Sequence, residues 1–277
     1  MNQKKNIAAS IKQKLLNNAK QAQRPFNELL QNYAMERLLY RLSISKYSRK
    51  FILKGALLFK VWEVNQFRTT MDIDMLGKTK NNPDNIIDIF KEIVSVECEA
   101  DGLIFESKIK IEEILEQVEY QGFRVFCDAK LDNAKIRVQI DIGFNDPIFP
   151  EPQLETLPTI LDLPVPKLLC YTKESAIAEK FESILRHGML NSRMKDFYDI
   201  WTLGNEFQFD KSCLNSAIQL TLNNRNVTIP DDIAAFCDEF IYSKQSQWTA
   251  FRRKIGDSST PESLKEVVTF IQKFLNP

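Results

Sequence analysis

Residues 71–77 read MDIDMLG, an alternation of apolar and acidic side chains that ends at a glycine. Because successive side chains of a β-strand point to opposite faces of the sheet, this pattern predicts a strand with one apolar and one acidic face. Asp72 and Asp74 would then project from the same face. Two carboxylates this close repel each other unless a cation lies between them, and Mg²⁺ bound by one or two carboxylates and by substrate phosphates is a common solution.

A second acidic strand is predicted further along the chain. Residues 120–130 (YQGFRVFCDAK) and 134–144 (AKIRVQIDIGF) both alternate, and the short turn at 131–133 between them predicts a β-hairpin. Asp141 lies on the polar face of the second strand. Three carboxylates on one sheet face are what a metal site for phosphoryl transfer needs. A solvated polar face is the simpler interpretation of any single D-x-D pattern, and the third acid weakens that interpretation.

The rest of the chain predicts helices around this sheet. Apolar residues recur with helical spacing at 7–24, 25–44 and 83–96, and helical patterns dominate the last hundred residues. Six of the eleven prolines fall between Pro147 and Pro166. Because proline cannot donate to a β-ladder, we expect an extended connector there. The predicted organisation is N-terminal helices and the sheet core at 1–150, a Pro-rich connector at 151–170 and a helical C-terminal lobe at 171–277.

Composition narrows the classes of function. Lys+Arg and Asp+Glu balance at 37 each, so a nucleic-acid surface would have to be a local patch. The five cysteines contain no CxxC motif and indicate reduced thiols of a cytoplasmic protein. No apolar run approaches the roughly 18 residues that a bilayer span requires, so no membrane partner is expected. His187 is the only histidine, which excludes zinc sites built from several histidines.

Two segments beside the acidic strand offer groups that bind phosphate. Lys54 and Gly55 close the apolar segment FILKG just before a helical pattern. Glycine lets the backbone approach a ligand closely, and a helix N-terminus offers free N–H donors. Arg68 and Thr70, immediately before Asp72, offer a guanidinium and a hydroxyl that suit phosphate. An ordinary turn and a polar loop are the alternative interpretations of these two segments.

Lys180 lies within the apolar stripe of a predicted helix at 173–188, where a charge is costly unless it meets a carboxylate or a phosphate. We expect its ammonium to face the acidic cleft, with Asp196 as its partner when no nucleotide is bound. On this placement Lys180→Met should cost activity far more than stability. A lysine that snorkels at the stripe edge is equally compatible with the pattern. Lys195 and Asp199 could likewise form an ordinary surface pair on the next helix.

Taken in order, KGALLFKVW, RTTMDIDMLG, RVQIDIGF, IAEKFESIL and RMKDFYDIW resemble the motifs of the AbiEii/AbiGii-type nucleotidyltransferase toxins, within the polymerase-beta-like nucleotidyltransferase superfamily. The resemblance covers most of residues 1–205. The roles that it implies are a phosphate turn for Lys54 and Gly55, Mg²⁺ binding for Asp72 and Asp74, the third-acid position for Asp141, a triphosphate contact for Lys180, and further site positions for Lys195 and Asp196.

The fold expected from this resemblance is α/β (α+β), with a nucleotidyltransferase-type mixed sheet, flanking N-terminal helices and a helical C-terminal lobe. The activity that it implies is Mg²⁺-dependent transfer of a nucleotidyl group from an NTP to an acceptor hydroxyl, with tRNA or another RNA as acceptor. Asp141 would orient or deprotonate that hydroxyl, and Lys180 would stabilise phosphate charge. The family further implies a type IV toxin–antitoxin or abortive-infection system of phage defence with a cognate antitoxin protein.

Two other classes of function stay open on the sequence. A two-metal nuclease or phosphatase would use the same acids and would not consume an NTP. A nucleotide-binding protein without catalytic activity would be favoured by Ala56, which follows Gly55 where the wider superfamily has glycine or serine and therefore offers no hydroxyl to a phosphate.

Overall fold

The structure is a computed structural model that describes residues 6–64, 70–115 and 121–276. These residues form a mixed α/β fold that divides into two compact units. All the described strands belong to the first unit, and the described residues of the second contain helices and no strand. The first unit comprises, among the described residues, 6–63, 70–115, 121–145 and 153–170, and the second comprises Val64, 146–152 and 171–276.

The first unit is built on one mixed sheet, whose strands lie side by side in the order β3-β4-β5-β2-β1-β7-β6. In chain order they are β1 (Phe51–Lys54), β2 (Asp72–Gly77), β3 (Leu103–Leu115), β4 (Gln121–Leu131), β5 (Ala134–Phe144), β6 (Gln153–Thr156) and β7 (Lys167–Cys170). β2 pairs with β5 in parallel, as β1 does with β7, and the other described pairs are antiparallel.

Helices of the first unit cover the apolar face of this sheet. They are α1 (Ile7–Gln21), α2 (Phe26–Ile44), α3 (Leu58–Val61) and α4 (Pro83–Val94). The side chain of Asn82 accepts a hydrogen bond from the backbone N–H of Asn85, and proline occupies the first turn, so α4 begins where both signals favour a start. The ring of Phe90 on α4 packs edge-on against Phe51 of β1, with 5.5 Å between centroids.

The predicted acidic strand is confirmed as β2. Ile73 and Met75 are buried, whereas Asp72 and Asp74 are half-buried on the opposite face. The predicted hairpin is confirmed as β4 and β5, and β5 alternates between buried aliphatic and more exposed polar residues. Burial of the apolar face fixes the register, because a slip by one residue would turn every carboxylate into the core.

The structure differs from the predicted organisation in two places. β3 is a 13-residue strand that the pattern did not reveal, because a register shift between Phe105 and Ile109 interrupts its alternation. The segment 151–170, expected to be an extended connector without ladder pairing, contributes β6 and β7; the two pair with each other at the edge of the sheet, and β7 also pairs with β1. This pairing is accommodated because β6 contains no proline and needs partners on one side only.

The second unit is a cluster of five described helices around an aromatic core. They are α5 (Lys173–His187), α6 (Met194–Glu206), α7 (Lys211–Asn224), α8 (Asp238–Ile255) and α9 (Leu264–Leu275). Phe181 of α5 stacks on Phe236, and Phe197 of α6 stacks on Phe240. Thr172 caps α5 by accepting a hydrogen bond from the backbone N–H of Ser175. Among the helices of the described residues, none has the length and apolar character needed to cross a bilayer.

Candidate active site

The two acids of β2 are the centre of the candidate site. Asp72 and Asp74 project from the same face of the strand, as their spacing predicts, and both remain partly accessible to solvent. The hydroxyl of Thr70 donates a hydrogen bond to Asp72 Oδ1, which fixes the orientation of that carboxylate. Thr70, a predicted phosphate ligand, is therefore already engaged with an acid of the pair. Arg68, the other predicted ligand of this segment, lies outside the described residues.

Gly55 lies against the second acid of the pair. Its φ is +74°, and a Cβ atom at this position would lie 2.0 Å from Asp74 Oδ2 and 2.7 Å from Asp74 Cγ. The preceding residue, Lys54, pairs with Asp74 across β1 and β2. The chain therefore needs glycine at this turn for two reasons, the left-handed backbone and the close approach of a carboxylate. The sequence predicted the turn, but not that a carboxylate occupies the space beside it.

Asp141 lies where the sequence placed it, on the strand next to β2. It pairs with Asp74 in the parallel ladder of β2 and β5, so the two side chains share a face. Its carboxylate is fully engaged: Arg124 Nε donates to Oδ1 at 2.9 Å, and Arg124 Nη2 donates to Oδ2 at 2.7 Å. Gln139 Nε2 donates to Oδ1 at 3.1 Å. Asp141 is thus one half of a two-pronged ion pair.

Arg124 is a residue of this face that the sequence pattern did not indicate as part of the site. It lies on β4 directly opposite Asp141. The length of the turn would have predicted this pair. The two-residue turn at 132–133 pairs Leu131 with Ala134, and the residues seven positions further from the turn on each strand are Arg124 and Asp141. The hydrogen bond to Asp141 is the largest of the effects that raise the pKa of Arg124, and the charge of Asp72 adds to it.

The residues present fit a divalent cation held by two carboxylates. Across residues 6–64, 70–115 and 121–276, no three His, Cys, Asp or Glu side chains are grouped so that they could hold a metal ion. Mg²⁺, however, is commonly bound by only one or two carboxylates and completes its shell with water and substrate phosphates. Asp72 and Asp74 supply such a pair, and Gly55 leaves room for the Asp74 carboxylate.

Lys180 is half-buried in the second unit and paired with two acids. Its Nζ lies 2.6 Å from Asp199 Oδ2 and 3.8 Å from Asp196 Oδ1, and its side chain is 14% exposed. The snorkelling alternative is therefore wrong. Asp196 is a partner, as predicted, but Asp199 is the nearer one because it is fully buried and needs a cation. That the ammonium faces the Asp72 and Asp74 carboxylates stays a prediction.

Asp196 and Lys195 differ in their surroundings although they are neighbours on α6. Asp196 is buried and also accepts hydrogen bonds from Ser183 Oγ at 3.0 Å and from Arg193 Nε at 2.7 Å. Lys195 is exposed. The alternative of a Lys195–Asp199 surface pair is wrong, because Asp199 is enclosed and bound to Lys180.

The predicted site residues thus form two groups, each within one unit. The first unit brings together the turn after β1 and the acids of two adjacent strands, namely Lys54, Gly55, Thr70, Asp72, Asp74 and Asp141. The second unit brings Lys180 together with Asp196 and leaves Lys195 at the surface.

Comparison with known proteins supplies a family for this arrangement. The model of the family described as nucleotidyl transferase AbiEii toxin, type IV toxin–antitoxin system, matches residues 37–270. The crystal structure of JHP933 from Helicobacter pylori is similar over 88% of this chain and 92% of its own, with 13% identity and a TM-score of 0.48. The crystal structure of a candidate nucleotidyltransferase from H. pylori is similar over 90% and 96%, with 14% identity and a TM-score of 0.47. No curated protein sequence matches the chain.

Proposed function

Since this chain belongs to the AbiEii family of nucleotidyltransferase toxins of type IV toxin–antitoxin systems, we propose that it transfers a nucleotidyl group from an NTP to an acceptor hydroxyl. The observation that carries this proposal is the pair of carboxylates on one face of β2, with the Gly55 turn set against it. In such a transfer the acceptor hydroxyl loses its proton to solvent, and its oxygen forms a bond to the α-phosphorus. The bond between that phosphorus and the oxygen bridging to the β-phosphate breaks, so pyrophosphate leaves.

The residues of β2 would hold Mg²⁺ and, with it, the triphosphate. A bound Mg²⁺ supplies neutralisation of the charge that develops on the phosphates. Thr70 would keep Asp72 turned toward the ion through its hydrogen bond, and Gly55 would give the Asp74 carboxylate the space that it occupies. A site organised in advance in this way lowers the barrier, because its groups need not reorganise during the reaction.

The remaining roles in this proposal rest on the family to which the chain belongs. The nucleotide would be contacted by Lys54, Arg68, Lys180, Lys195 and Asp196. The acceptor would be tRNA or another RNA. A cognate antitoxin protein would regulate the activity, and the protein would act in the cytoplasm. Lys180 contributes a half-buried cation with carboxylate partners, which is a charge arrangement that a phosphate could join.

Incubation with labelled nucleotides tests the proposed function. The purified protein is mixed with Mg²⁺, total RNA and each NTP in turn, labelled at either the α- or the γ-phosphate. The proposal expects α-label to appear on RNA and γ-label to appear in pyrophosphate. RNA fragments formed without NTP consumption would indicate the nuclease, and released inorganic phosphate would indicate a phosphatase. Nucleotide binding without any product would indicate the non-catalytic protein. A chelator control separates metal-dependent from background label.

A further inference from the structure

We propose that Arg124 binds a phosphate group of the nucleotide and that Asp141 is a positioning residue for Arg124 rather than a third metal ligand. This inference rests on the proposed function, because it concerns the same site. It departs from the three-carboxylate arrangement in that the sheet face would present two acids and one guanidinium to the triphosphate.

The guanidinium of Arg124 is held along one edge and open along the other. Arginine has five N–H donors, and the contacts to Asp141 use the Nε donor and one of the two on Nη2. Within the described part of the chain, Asp141 is the only hydrogen-bond partner of this side chain, which is 39% exposed. Both donors of Nη1 and the second donor of Nη2 therefore remain available, in the planar fork that matches phosphate oxygens.

The position of Arg124 places this open edge beside the acid pair. Asp74, Asp141 and Arg124 form one cross-strand row on β2, β5 and β4. Because neighbouring strands lie about 4.8 Å apart, the backbones of Asp74 and Arg124 are separated by about 10 Å, which a long arginine side chain and a triphosphate can bridge. The charge of Asp72 also acts on the guanidinium and raises its pKa, so the two groups share one electrostatic environment.

The surroundings of Asp141 argue against its use as a metal ligand. Both of its oxygens accept hydrogen bonds from Arg124, and Oδ1 also accepts one from Gln139. To ligate a cation it would have to release a guanidinium that already neutralises it, and the displaced positive charge would then lie next to the metal. Holding Arg124 in place has a clear benefit, since the rotamer freedom of the arginine is already restricted before the phosphate arrives.

The same hairpin contains a matched control. Arg137 on β5 and Asp128 on β4 are also cross-strand partners, with Nε to Oδ1 at 2.7 Å and Nη2 to Oδ2 at 3.0 Å. Arg137 lies four residues from Asp141 on the same face, about 13 Å along the strand. Arg137→Gln therefore removes the same kind of ion pair from the same two strands, at a guanidinium bound to Asp128 instead of Asp141.

Titration calorimetry of the full chain tests the assignment with two probes, Mn²⁺ alone and inorganic triphosphate in the presence of Mg²⁺. We expect Arg124→Gln to weaken triphosphate binding about tenfold to a hundredfold, as the loss of charge-assisted hydrogen bonds predicts. Arg137→Gln should leave triphosphate affinity unchanged.

Asp141→Asn should keep Mn²⁺ affinity within about threefold of the native chain, whereas Asp74→Asn should lower Mn²⁺ affinity by about tenfold or more. Arg124→Lys, which keeps the charge without the fork, should give an intermediate triphosphate affinity.

The outcomes separate this inference from the proposed function. If Asp141→Asn loses Mn²⁺ as Asp74→Asn does, or if Arg124→Gln binds triphosphate normally, the inference is overturned while the function stands. If Arg124→Gln weakens binding of total RNA but not of triphosphate, the phosphate belongs to the acceptor and the assignment to the nucleotide is overturned. A native chain that binds neither Mn²⁺ nor triphosphate would overturn both. Circular dichroism and the unfolding midpoint confirm that each variant is folded, and Arg124→Lys replaces Arg124→Gln if the latter is not.

Discussion

The carboxylate of Asp74 fills the space that a side chain at Gly55 would need. A Cβ atom there would lie within 2.8 Å of three Asp74 atoms, so any other residue would have to displace the acid. The turn after β1 and the acid of β2 are therefore a single structural feature, in which the glycine determines where the carboxylate can lie. Under the proposed function, the conformation of the turn would therefore affect cation binding.

Gly55→Ala should rotate the Asp74 carboxylate away and lower Mn²⁺ affinity about tenfold, because the acid side chain is the part that can move. The matched control is Gly256→Ala, where φ is +72° and an added Cβ atom would have no neighbour within 4 Å. Both changes should cost about 1–2 kcal/mol of unfolding free energy for the left-handed backbone, measured by urea denaturation. Equal Mn²⁺ affinity in the two variants would contradict the proposed coupling between turn and acid.

Lys180→Met should reduce the free energy of unfolding by about 3–5 kcal/mol, because it removes a cation that lies 2.6 Å from the fully buried Asp199. This contact predicts a larger effect on stability than the expectation, drawn from the apolar stripe alone, that the change affects activity far more than stability. The exposed Lys195 provides the control, since Lys195→Met should change stability by no more than about 0.5 kcal/mol. The double variant Lys180→Met/Asp199→Asn should recover part of the loss. A single Lys180→Met variant as stable as the native chain would refute this account of the pair.

Glu36 should make the stability of the chain fall as pH rises. Burial raises the pKa of this carboxyl from 4.5 to about 7, so the folded state holds the proton more tightly than the unfolded state. The stabilisation from this group is complete below pH 4.5 and is lost as pH rises through about 7. With 1.36 kcal/mol for each pKa unit, the loss is at most about 3 kcal/mol.

Urea denaturation at pH values from 4.5 to 8.5 measures this dependence. Glu36→Gln should flatten the curve, because the amide does not titrate and its oxygen can still accept the hydrogen bond from the backbone N–H of Ile160. Glu206→Gln, at an exposed position, should leave the slope as it is in the native chain. An unchanged slope in Glu36→Gln would show that another group is responsible.

The sequence predicted the elements of the sheet that follow a simple period. β2 and β5 alternate because one face is buried, so both strands and the shared face of Asp72, Asp74 and Asp141 could be anticipated from spacing. β3 could not, since its register shift breaks the alternation on which the prediction depends. β6 could not be anticipated from proline content. Prolines are frequent in the Pro-rich segment as a whole, but Gln153–Thr156 contains none.

Contacts of the candidate site were harder to anticipate than its residue types. The sequence placed Lys180 within an apolar stripe but named Asp196 as its partner, since periodicity does not show which of two acids on α6 is fully enclosed. It identified Asp141 as an acid on the right face but not its ion pair with Arg124, which depends on the register between two strands. The length of the turn between β4 and β5 fixes the register of these two strands. A prediction that uses this length would therefore pair Arg124 with Asp141.

The central claim is that the carboxylates of β2 carry out metal-dependent nucleotidyl transfer, and the effect of Asp74→Asn on transfer tests it most directly. Transfer of α-label from a mixture of the four NTPs to total RNA would be compared in the native chain, in Asp74→Asn and in Asp128→Asn, an acid on the same sheet that pairs with Arg137. The account predicts that Asp74→Asn loses about a hundredfold or more of the rate while the variant stays folded, because a carboxylate ligand of the metal has been replaced by a neutral amide. Asp128→Asn should retain most of the rate. Native transfer by Asp74→Asn in the presence of Mg²⁺ would contradict the account.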